Sequence, residues 1–226
     1  MIVRGALAAA LIVLPLVAMA RPADSAGTPF DELLKPELNN AACFTRVYDT
    51  AHLRAHPKQQ TTAMTIRLKY VEIGGGVPGL ALSVSLGMVR RGDSAALYSD
   101  GGCEWSATAN RDTSDNRLIK NYPKKAGMVC LQSAQPDVFE ATSAQEGGAL
   151  IMERGKDRDT LMLYLDDSLI LVKRANRGRH LFTKFGSDDR VFMLPPDRYE
   201  GLQRDRGSRD HAGTRRCAKI ALIEQR

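Results

Sequence analysis

Beyond its first twenty residues the sequence has no long apolar run, so no stretch after Ala20 offers the roughly 20 consecutive apolar residues that a membrane-spanning helix needs. Ten-residue helical stripes between continuous Val/Ile/Leu strands are also missing, which disfavours an α/β-hydrolase or doubly wound nucleotide-binding sheet. Aromatic residues are only 6% of the chain, with a single tryptophan. A nucleic-acid interface wants a basic stripe interleaved with aromatics, so that class of partner is excluded. The cysteines number four and never occur as Cys-x-x-Cys, which removes thioredoxin-type and zinc-ribbon chemistry. No Gly-Lys-Ser/Thr ending follows the glycine-rich stretch at 74–79, and no Asp-x-Asp-x-Asp loop occurs, so phosphate-cradling and EF-hand sites are not written here.

What is present begins with Met1 to Ala20. It carries one positive charge at Arg4, an apolar run from Ala6 to Val17, and Ala18-Met19-Ala20 in the small-x-small pattern of a signal-peptidase site. The expectation is a cleaved secretory signal over residues 1–20, a mature chain beginning at Arg21, and a periplasmic or secreted location without a transmembrane segment. At 43% hydrophobic and 26% charged residues, the rest reads as an ordinary globular chain.

In an oxidising compartment four cysteines imply two disulfides. The spacing favours Cys103–Cys130, closing one excursion between neighbouring strands, and Cys43–Cys217, stapling the two ends of the fold. Net charge is +6, which falls to +5 when Arg4 leaves with the signal. The excess sits at the end: residues 201–226 hold seven Lys/Arg against three acids, leaving residues 21–200 near neutral. This basic C-terminal tail suits a solvated end, or a contact with an anionic envelope surface.

Two segments follow one plan. Ser85 to Trp105 and Ser168 to Leu194 both open Ser-Leu-x-[Met/Leu]-Val, reach a basic pair (Arg90-Arg91, Lys173-Arg174), turn, and pass an apolar-aromatic pair (Leu97-Tyr98, Leu181-Phe182). Each then meets a Gly/Asp corner before a last apolar strand. That pattern predicts a hairpin plus a return strand written twice, with an internal repeat over 43–109 and 128–200.

Along the chain, Thr28-Pro29-Phe30-Asp31 has the N-cap, first-turn proline and capping-box acid of one short helix, stopped by Pro36. Period-two alternation then governs. Met64, Ile66, Leu68 and Tyr70 alternate with Thr65, Arg67 and Lys69. Leu80 to Met88 alternates large apolar residues with Ala81, Ser83, Ser85 and Gly87, a small-residue face open to another layer or a ligand. Cys103-Glu104-Trp105, Val138–Ala141, Ala149–Met152, Leu161-x-Leu163-x-Leu165, Leu169-x-Leu171 and Val191–Leu194 are further strands, with Asp166-Asp167 as the turn of a hairpin. The result is an all-β chain: one antiparallel β-sandwich or barrel-like domain over 21–200, possessing one or two short N-terminal helices.

Candidate chemistry is sparse. Asp49 or Thr50 caps a helical turn on which His52 and His56 stand at i and i+4, the spacing that lets two imidazoles share one zinc ion. Position 53, where a zinc protease has its general-base Glu, is Leu53. Asp49, His180 and His211 are the available third ligands. Gly92-Asp93-Ser94 has the letters of an esterase nucleophile block but neither the preceding parallel strand nor a late Asp-x-x-His, so it reads as a hairpin turn. Asp166-Asp167 and Asp188-Asp189 point to opposite faces if extended and so cannot flank one scissile bond. No nucleophile, base and orienting group assemble from motifs, and catalytic residues are therefore not assigned. The functional expectation is an exported non-catalytic protein that binds a partner protein, glycan or small ligand. The alternative is a metal-dependent or other hydrolase using His52 and His56.

Overall fold

The computed structural model describes residues 27–75, 77–93, 95–109, 122, 126–133, 147–157, 159–173 and 180–197. The signal expected at 1–20, the strand expected at 138–141, the loop at 110–116 and the tail at 201–226 lie outside them. Among the described residues no helix is long and apolar enough to cross a membrane.

Among the described residues the fold has ten strands: β1 (Ala41–Val47), β2 (Thr61–Glu72), β3 (Leu80–Arg90), β4 (Leu97–Ser106), β5 (Gly127–Gln132), β6 (Ala149–Arg154), β7 (Leu161–Leu165), β8 (Ser168–Lys173), β9 (His180–Lys184) and β10 (Val191–Leu194). Every pairing is antiparallel, and the sheet runs β1-β2-β3-β4-β5-β6-β7-β10. Its two ends meet. Thr45 N–H donates to the Pro195 carbonyl at 3.1 Å, Asp197 N–H donates to Cys43 O at 2.8 Å, and Phe44 bridges Pro196. The sheet is thus nearly closed and barrel-like, the all-β architecture that the alternation predicts. Among the described residues helix is confined to short pieces, chiefly α1 (Thr50–Ala55) and a 3-10 turn over Pro29–Glu32.

The alternation decides what fills the barrel. Met64, Ile66 and Leu68 on β2 and Leu82, Val84, Leu86 and Met88 on β3 face inward and are buried. Each contributes about 1.5–3 kcal/mol relative to exposure. Phe44, Met128, Leu150, Met152, Leu163, Phe192 and Leu194 meet them in one continuous core. The near-zero exposure of these wall residues leaves no solvent-sized space between them, so the interior is packed like a protein core. Ala81, Ser83, Ser85 and Gly87 alternate with that core and face outward.

Three expectations are corrected. The Gly/Asp corner expected at 100–102 lies inside β4, which runs unbroken from Leu97 to Ser106. Glycine is required there for close approach: a Cβ on Gly101 would stand 2.2 Å from Leu131 O on β5. The second Gly/Asp corner does end a strand, in a 3-10 turn over Ser187–Asp189 before β10. The two similar segments therefore share a hairpin (β3–β4, β8–β9) and differ after it. Finally, β7 and β8 are not a hairpin. β7 lies between β6 and β10, whereas β8 pairs with β9 and with the first two residues of β4, Leu97 and Tyr98. Apolar alternation with a turn between fits either arrangement, and the outcome is set by partners distant in sequence: Asp166 N–H goes to Ala149 O and Ile170 N–H to Gly147 O.

Candidate functional site

The segment from Arg46 to Thr61 gathers most of the chemically distinctive side chains. Asp49 is the N-cap of α1, its Oδ1 accepting from His52 N–H at 2.7 Å, and the helix ends before Pro57 as the sequence predicts. On the face above, Tyr48 stacks on His52 (centroids 4.6 Å) and His52 on His56 (4.4 Å). The Arg46 guanidinium lies over the Tyr48 ring, 5.4 Å from its centre. The result is a four-member ladder of Arg46, Tyr48, His52 and His56, with His56 at its exposed end.

His52 Nε2 is 3.0 Å from Gln59 Oε1, and the buried Gln59 amide in turn donates to Thr61 O at 2.7 Å. The two imidazole planes are 26° apart and stacked, so their in-plane lone pairs run side by side. Asp49 is engaged as the cap, and the His180 side chain and His211 lie outside the described residues. Among the described residues no three His, Cys, Asp or Glu side chains group closely enough to hold a metal ion.

Two turns from elsewhere in the chain hold this segment. Arg91, in the Arg-Gly-Asp turn between β3 and β4, donates through Nη2 to Leu53 O and Gln59 O, both at 3.1 Å, and through Nε to Gln59 O at 3.3 Å. Gly92 supplies the positive φ of 82° that this turn needs, and Asp93 faces Lys173 at 3.6 Å. Asp189, at 1% exposure, accepts Gln60 N–H at 2.7 Å and Thr61 N–H at 2.8 Å. Its neighbour Asp188 stays at the surface with Ser187. Asp167 of the other acidic pair is bonded to Arg190 at 2.8 Å. Turn and capping work accounts for the acids whose pairing invites a hydrolytic reading.

Burial pushes the Tyr48 hydroxyl up to about 12; the nearby Asp189 charge adds to this and Arg46 opposes it. The phenol is therefore a neutral ring surface and hydrogen-bond donor at ordinary pH. A second buried aromatic pair, Tyr122 and Tyr164 (4.9 Å, edge-on), lies on the outer face of β5–β7 with Val129 and Ile151. Tyr164 donates to Glu153 at 2.9 Å.

Cys103 and Cys130 are directly opposite on β4 and β5 and form a disulfide. Cys43 is disulfide-bonded as well, and its expected partner Cys217 lies outside the described residues. Reading the sequence alone misses Arg46, Tyr48, Gln59, Arg91 and Asp189 as members of one cluster. Only Tyr48, adjacent to the Asp49 cap, carries a local signal; the others converge through strand register. Comparison with known protein families, curated proteins and solved structures finds no match to this chain.

Proposed function

We propose that this chain is an exported, non-catalytic β-barrel-type protein, periplasmic or secreted, that binds a partner protein, glycan or small ligand through its outer surface. The observation that carries this reading is the filled interior. With the barrel packed by Met64, Ile66, Leu86, Leu150 and their neighbours, recognition falls to the outside. Support for export comes from the signal-like N-terminus together with disulfide-bonded cysteines, which persist in oxidising compartments. The best-equipped surface is the Arg46–Tyr48–His52–His56 ladder, which offers ring edges, the open face of His56 and a cation. The basic residues of 201–226 add an attraction for an anionic envelope surface.

Expression from the native N-terminus in an enveloped host, followed by fractionation and N-terminal sequencing, tests the export half. Protein starting at Arg21 outside the cytoplasm supports it; Met1-containing protein with four titratable thiols in the cytosol refutes it. Metal analysis of the same material tests the non-catalytic half. Stoichiometric zinc that disappears in the His52→Ala/His56→Ala double variant would replace this reading with a metal-dependent hydrolase.

A further inference from the structure

The sheet is sealed at one place and open at another. β1 is tied to the chain leaving β10 by the bonds of Thr45 and Cys43 to Pro195 and Asp197, whereas β9 has only β8 beside it. Backbone alternation shows what its open side offers. Phe185 N–H donates to Asp167 O at 2.9 Å, so Ser168 and Lys184 stand opposite without exchanging bonds, and the same holds for Ile170 and Phe182. Ile170 accordingly turns its N–H away from β9, to Gly147 O at 2.9 Å. On β9 the N–H and C=O groups of Leu181 and Thr183 therefore face β8, while those of His180, Phe182 and Lys184 face the open side. Among the described residues no backbone bond reaches them there.

Nothing on the strand guards that edge. Exposed edges are ordinarily blunted by proline, bulges or charge. His180–Lys184 has no proline, pairs with β8 without a register shift, and has Lys184 as its one residue of fixed charge. Phe182, on the outward face, is 65% exposed, more than any other large apolar side chain among the described residues. Thr183 and Phe185, on the opposite face, are buried, so the core fixes the strand while its edge and outer face stay open. We propose that this edge pairs antiparallel with the same edge of a second copy of the chain, on a two-fold axis through Phe182. A row of edge groups is its own complement when reversed, which is what a two-fold interface requires. Phe182 is the middle residue of β9, so the register centred on it is the one that pairs every edge-facing residue: Phe182 opposite Phe182, and His180 opposite Lys184. The two phenyl rings then form a cross-strand aromatic pair over surface that each copy alone leaves in water. The interface is separate from the ring ladder, and its test does not depend on what that ladder binds.

The test uses the full oxidised chain. The contact is short, so the dimer should be weak, with sedimentation velocity passing from monomer to dimer between about 10 µM and about 1 mM. Over the same range amide exchange at Phe182 and Lys184 should slow about fivefold, while Leu181 and Thr183, already bonded to β8, should change little. Charge reads the two-fold axis. Phe182→Asp and Phe182→Lys should each stay monomeric at about 1 mM, because like charges would stand opposite, and an equimolar mixture of the two should dimerise. A wild type that remains monomeric throughout overturns the proposal and leaves the edge to a strand of another protein. Unchanged exchange at Phe182 and Lys184, dimers of either charged variant alone, or no dimer in the mixture overturns it equally. Should either variant fail to fold, sedimentation and exchange of the wild type decide alone.

Discussion

Removing the Asp189 carboxylate should uncouple the start of β2 from the turn before β10. The two oxygens each take one backbone N–H, from Gln60 at 2.7 Å and Thr61 at 2.8 Å, across more than 120 positions of sequence. Those donors need an outside acceptor because the β2–β3 register shifts between Thr61 and Ala63, where the ladder is irregular. Asp189→Ala leaves two backbone donors without partners, Thr61 at 1% exposure among them. At about 1–3 kcal/mol for each unsatisfied buried group, the loss should total about 2–6 kcal/mol. Asp189→Asn keeps the shape and one acceptor oxygen but turns an NH2 toward the second donor, so it should lose about half as much. Urea unfolding at neutral pH, with the slope unchanged, measures both, and amide exchange at Thr61 should accelerate in the alanine variant. A loss below about 1 kcal/mol for Asp189→Ala, or a wild-type Asp189→Asn, would show that the carboxylate is not what anchors β2.

Gly101→Ala should destabilise by about 2–4 kcal/mol, because the new Cβ would stand 2.2 Å from Leu131 O and force β4 and β5 apart; thermal unfolding reads this, and an unchanged midpoint refutes it. Replacing Cys103 and Cys130 together by serine opens a closure spanning 27 positions and should cost about 3–4 kcal/mol on chain-entropy grounds, measured by denaturant midpoint against the oxidised parent. Ultraviolet titration should find Tyr48 and Tyr122 ionising only near 12, with Tyr164 held well up by burial and by its bond to Glu153. Because these folded-state values lie above the ordinary 10, their contribution is complete below pH 10 and is lost as pH rises toward 12, so stability should fall across that window. In Asp189→Asn the Tyr48 value should drop, since the Asp189 charge helps raise it. An alkaline transition already complete by pH 10 would contradict the burial assigned to these phenols.

The parts of the fold legible in sequence are those that depend on nearest neighbours. The inward quartets of β2 and β3, the Asp49 cap, the Thr28–Asp31 capping pair and the stop before Pro57 all rest on side-chain period or on contacts three to four residues apart. What failed to read through depends on pairing. Leu161–Leu165 and Leu169–Leu171 alternate equally well whether they pair with each other or with β6 and β9, so the hairpin expected there had no local signal against it. Gly101 looked like a corner because glycine is common in turns, while its actual role is to let β5 pass close by.

The same logic explains why the candidate site is illegible from motifs. Arg91 and Asp189 belong to turn-like strings, Arg-Gly-Asp and Gly-Ser-Asp-Asp, whose composition satisfies turn geometry before any other role is asked of it. Their side chains are free to do a second task only because the barrel nearly closes and brings both turns onto the 48–61 segment. There each one satisfies backbone groups of a short helix and a strand start that an irregular ladder leaves unpaired. The ring ladder of Tyr48, His52 and His56 is consequently held from below by Gln59, Arg91 and Asp189, and its outer edge stays available. Rings held by the buried Gln59 and Asp189 and by the exposed Arg91 take their rigidity from the scaffold, which leaves the exposed edges as the contact chemistry for the recognition role proposed above.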